Sequence, residues 1–61
     1  MNNTDARYEA ARTRAIAAGQ YNTEDSFDDK VSWTCSREGV CSEDLSNRIF
    51  VAEMLANDAE K

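Results

Sequence analysis

Cys35 and Cys41 are the two thiols of this sequence, with five residues between them and no histidine anywhere to activate either one. Four kinds of chemistry are open to such a pair. A cysteine beside a cation such as Arg37 can be held as a thiolate nucleophile. The pair can close a disulfide loop of about six residues, contributing roughly 2 kcal/mol on a chain-entropy argument. Two copies of the chain can pool four sulfurs around one zinc ion, the number a structural site needs. Or both can be ordinary thiols, with Cys35 a small buried apolar residue, which is what a reducing compartment favours. The last reading is preferred, and no metal and no cofactor are expected.

The carboxylates are the second group. Asp28 and Asp29 adjoin, and paired carboxylates can act as acid and base where a cleft separates their pKa values. A chain of 61 residues has little material to build such a cleft. A Ser-His-Asp or Cys-His arrangement is ruled out by the absence of histidine. No glycine-rich phosphate loop is present, and no glycine follows Asp25, Asp28 or Asp29 at the spacing of a calcium loop. The chain is therefore expected not to be an enzyme.

The carboxylates make more sense as a surface. Between residues 24 and 44 stand seven acids (Glu24, Asp25, Asp28, Asp29, Glu38, Glu43, Asp44) against two bases, Lys30 and Arg37. The rest of the chain balances five acids with five bases, so this segment carries the whole net charge of -5. On a helix, Glu24, Asp25, Asp28 and Asp29 fall on one arc beside the apolar face. Such a row of negative charges loosely resembles a nucleic-acid backbone and would meet a lysine- and arginine-rich surface favourably. Against this stands a plainer reading, in which early acids complement the helix dipole and keep a small protein in solution. Trp33 reads either as core, since tryptophan is buried on average, or as an interface anchor beside the acids. The residues expected to bind a partner are Glu24, Asp25, Asp28, Asp29, Trp33, Glu43 and Asp44.

Three elements must position these side chains. With no proline and two glycines, Gly19 and Gly39, the chain is punctuated twice, each time after a helix-like segment. The first helix is expected over 5–18, capped by Thr4 or Asp5, with Tyr8, Ala11, Ala15 and Ala18 on one face and Ile16 beside it. The second is expected over 24–36, capped by Thr23 or Asp25, burying Phe27, Val31, Thr34 and Cys35. The same segment also alternates Val31, Trp33 and Cys35 with Lys30, Ser32 and Thr34, a strand signature. Helix is preferred, because a lone strand has nothing to pair with. The third helix is expected over 43–57, capped by Ser42, with Leu45, Ile49, Ala52, Leu55 and Ala56 facing the other two. Phe50, Val51 and Met54 widen its apolar arc. The fold class is all-α: one small three-helix domain over 1–61, frayed at about 1–3 and 59–61.

Composition sets the limits. Leu, Ile, Val and Phe together number nine, about 15% of the chain, below the ~20% at which charged sequences approach disorder. Nothing near the N-terminus reads as a secretory signal, and no apolar run approaches a membrane span, so a cytoplasmic location is expected. In size, charge and lack of catalytic residues the chain is similar to small acidic proteins made by phages and mobile elements, anti-CRISPR proteins among them. That resemblance implies a protein that occupies the nucleic-acid-binding surface of a host complex. The reading preferred is a non-enzymatic binding protein that blocks or regulates a partner by covering its basic surface. The chain itself is too acidic to bind nucleic acid directly. The alternative is a helical structural or regulatory module that uses apolar contacts through Phe50, Val51 and Met54, in an assembly or as a homodimer.

Overall fold

The computed structural model describes residues 3–61. Three helices of equal length follow one another: α1 (Asn3–Ala17), α2 (Glu24–Glu38) and α3 (Leu45–Ala59). No strand occurs among the described residues. The alternation at residues 30–35 is therefore not realised as a strand. Phe27, Val31, Thr34 and Cys35 all reach the interior from one helical face, and Trp33, which the alternation would bury, lies outside.

The cores of the three helices interlock as their patterns require. Tyr8, Ala11 and Ala15 come from α1, and Phe27, Val31 and Cys35 from α2. Ile49, Val51, Ala52, Leu55 and Ala56 come from α3. The alanine face of α1 admits α3 closely, and this is the most extensive helix pairing in the molecule. Two T-shaped contacts fix Phe27, from Tyr8 at 6.1 Å and from Tyr21 at 5.2 Å between ring centroids. Tyr21 is thus half-buried, part of the connection that closes over the core.

The helix ends differ from expectation: α1 stops at Ala17 instead of 18, α2 runs to Glu38 instead of 36, and α3 runs to Ala59 instead of 57, with Ala59, expected to fray, packed against the core; two of the starts differ as well. α1 begins at Asn3, so Thr4 and Asp5 lie inside the helix instead of capping it. α3 begins two residues late and its cap is Asp44, whose carboxylate accepts from the Ser46 N–H at 2.9 Å. Ser42 is excluded as cap because its carbonyl is taken by Arg48, while the carbonyl of Cys41 is taken by the Asn47 amide. Those two bonds hold 41–42 as loop. At α2 the expected cap holds: Thr23 Oγ1 accepts from the Ser26 N–H at 3.1 Å. Its other end is a Schellman motif. Gly39 sits at φ +76°, Gly39 N–H bonds to Ser36, and Val40 N–H reaches back to the carbonyl of Cys35.

Both cysteines are free thiols, Cys35 buried and Cys41 exposed. Complete burial of Cys35 denies it to substrate, whatever the proximity of Arg37. No helix of the described chain is long and apolar enough to cross a membrane.

Candidate functional site

Arg48 organises the polar side of the molecule. From α3 its guanidinium donates to Ser32 Oγ at 3.0 Å and to the Ser42 carbonyl at 2.9 Å. It also donates to the Tyr8 hydroxyl at 3.2 Å and reaches the carbonyl of Asp28 at 3.5 Å. One side chain thereby ties together all three helices and the α2–α3 loop. Since Ser32 and Ser42 accept from the same nitrogen, the loop that carries Glu43 and Asp44 is anchored beside the middle of α2.

Tyr8 forms the other half of this network. Its hydroxyl donates to Asp28 Oδ1, and Arg12 stands 3.3 Å from the other carboxylate oxygen. The Arg12 and Arg48 guanidinium groups both lie over the Tyr8 ring, at 5.6 and 5.5 Å. Burial pushes the Tyr8 pKa up, the bond to Asp28 pushes it the same way, and Arg48 opposes both.

This network sorts the expected binding residues. Asp28 is half-buried and committed to Tyr8 and Arg12. Glu24 is exposed but lies 3.6 Å from Arg12. Asp44 caps α3. Asp25, Asp29 and Glu43 are exposed and form no ion pair or hydrogen bond among the described residues. Trp33 is 53% exposed, with Lys30 Nζ 4.2 Å and Arg37 Cζ 5.4 Å from its ring. Helical spacing of four places Asp25, Asp29 and Trp33 on one outward stripe of α2. The choice between core and surface for Trp33 is decided for surface. A tryptophan with two cations over its faces has its aromatic surface partly covered without entering the core.

The cations complete the picture. Arg7 pairs with Glu53 at 2.8 Å, Arg14 with Glu60 at 2.8 Å, and Lys61 with Asp58 at 3.4 Å. Arg12 and Arg48 belong to the network around Tyr8, and Lys30 and Arg37 lie over Trp33. All seven basic side chains are thus engaged within the chain. Sequence reasoning located the acidic excess but missed Arg48, because its partners lie 6 to 40 residues away and follow no local spacing.

No group of three or more potential metal ligands is assembled among the described residues. Three surface depressions have Phe50 in their lining. Fold and site together describe a small three-helix domain with an acidic, tryptophan-bearing helix face. Comparison with known proteins finds no matching family model, no match among curated proteins and no match among solved structures.

Proposed function

We propose that this chain is a non-enzymatic binding protein that covers a basic surface of a protein partner with the outer face of α2. Asp25 and Asp29 supply the charge, Trp33 the apolar anchor, and Glu43 extends the acidic edge from the neighbouring loop. The observation that carries this reading is the distribution of partners. Five cations pair with carboxylates or join the Tyr8 network and Lys30 and Arg37 lie over Trp33, while Asp25 and Asp29 share an outward stripe with that exposed indole and Glu43 is exposed without an ion pair among the described residues. Unpaired like charges on one helix face repel, and a cationic partner relieves that repulsion. Trp33 adds what charge alone lacks, since tryptophan dominates interface energetics. A surface that is basic and open to such a ligand is typically one that holds nucleic acid. Covering it would block or regulate that binding, the role implied by the likeness in profile to phage-encoded inhibitors.

Two charge-reversed variants of equal net charge test this. Asp25→Lys/Asp29→Lys changes the proposed face, and Glu9→Lys/Asp58→Lys changes exposed acids elsewhere. A defined protein from the native host captured by the wild type should be lost with the first variant and kept with the second. Trp33→Ala should weaken capture by about tenfold or more, the scale of an aromatic anchor. Equal capture by both charge variants would refute the assignment.

A further inference from the structure

α3 carries a second exposed surface whose chemistry is unlike that of α2. Phe50 is 71% exposed, Met54 37% and Val40 39%. Val40 is placed there by the Schellman turn, and a groove of about 350 Å³ runs between it, Asn47, Phe50, Met54 and Glu38. Along α3 the outward line reads Asn47, Phe50, Met54, Asn57, with spacings of three, four and three. Those spacings match the a/d spacing of a helix pair, and the line reads the same from both ends: polar, apolar, apolar, polar.

We infer that a second copy of this chain covers the seam, with the two α3 helices antiparallel about a two-fold axis between Phe50 and Met54. In that register Phe50 of each copy faces Met54 of the other, and Asn47 faces Asn57. The amides are already poised for this. Asn47 uses its NH2 group on the Cys41 carbonyl, leaving its oxygen open. Asn57 uses its oxygen to accept from Arg14 at 2.8 Å, leaving its NH2 group open. A donor on one copy therefore meets an acceptor on the other, twice over, as an isologous interface requires.

Charge favours the same occupant. The chain carries -5, and of the carboxylates flanking the seam Glu53 is paired with Arg7 and Asp58 with Lys61, while Glu38 at the edge of the groove forms no ion pair among the described residues. Two copies can meet here without opposing their acidic α2 faces. Of these carboxylates Glu38 alone would offer a cationic partner an unpaired charge. None of the seam residues belongs to the face proposed for the partner, so the two inferences stand separately.

A single helix face is a small interface, so association is expected at about 10–100 µM, toward the weak end for specific complexes. Sedimentation equilibrium from about 5 to 500 µM brackets that range. The wild type should pass from 6.8 kDa toward twice that mass. Phe50→Asp should remain monomeric throughout with unchanged helical circular dichroism, because the side chain it replaces is outside the core. Asn57→Asp should keep the fold, as Arg14 accepts a carboxylate equally well, and weaken the dimer about tenfold or more by removing both cross-axis donors. A wild-type monomer at the highest concentration would overturn the proposal. So would a dimer that survives Phe50→Asp.

Discussion

At the scale of single residues, the side chain that most determines the site is one that local pattern does not reveal. Arg48 sits among apolar positions of α3 and reads in the sequence as one more helix-surface cation. In the structure it bonds to Tyr8, Asp28, Ser32 and Ser42. Hydrogen bonds to a charged group are each worth about 1.5–3 kcal/mol, and buried partners left alone add a further cost. Arg48→Ala should therefore lower stability by at least about 2 kcal/mol in urea denaturation, a large share of what so small a domain has. Arg48→Lys should not restore it, because an ammonium cannot span acceptors on three helices. Tyr8 gives a matching pH signature. Its pKa in the folded protein is raised by burial and by Asp28, so its contribution is fully present below pH 10. Above that the unfolded chain ionises first, and stability falls as pH climbs through the folded value. Tyr8→Phe should flatten the alkaline limb of a stability-against-pH curve and lower stability at neutral pH. A limb of unchanged slope in the variant would contradict this account of Tyr8.

At the scale of elements, the helices were legible and their ends only partly so. Phe27, Val31, Thr34 and Cys35 announce the buried face of α2 by spacing alone, and Tyr8, Ala11 and Ala15 do the same for α1. Thr23 and Gly39 announce their caps by residue type. The start of α3 was not readable, because the Cys41 and Ser42 carbonyls that keep it from beginning earlier are held by Asn47 and Arg48. These are tertiary and medium-range bonds that compete with a good local cap. Val51 was misplaced for a similar reason. It widens the apolar arc of α3 on paper, but neighbouring helices wrap far enough around to bury it, leaving Phe50 and Met54 as the exposed pair. Gly39 permits a clean test of the α2 terminus. No atom lies within 4 Å of a Cβ built there, so Gly39→Ala meets no clash and only the φ of +76° resists it. The expected loss is about 1 kcal/mol, read as a melting shift of several degrees. No shift would mean that the turn relaxes at no cost.

At the scale of the whole molecule, charge is the organising quantity. The sequence places the acidic excess between residues 24 and 44, but it does not say which acids are free. The fold divides them: Asp28 goes into the Tyr8 network, Glu24 sits by Arg12 and Asp44 caps α3, while Asp25, Asp29, Glu38 and Glu43 remain open. Helical spacing puts Asp28 nearer than Asp29 to the buried face of Phe27, Val31 and Cys35, but it does not name the partner that Asp28 meets. The fold supplies that partner, as α1 passes on the side where Asp28 projects, bringing Tyr8 and Arg12. The proposed binding face is consequently narrower than the acidic segment and includes the exposed Trp33. The most direct test of the central claim is the affinity of the captured host protein for wild type and for Asp25→Lys/Asp29→Lys as salt is raised. Binding through exposed charges should weaken at least about tenfold between roughly 0.05 and 0.5 M salt, as the screening length contracts, and the variant should show no binding at any salt. Affinity that stays flat across that range, or that the variant retains, would contradict the account.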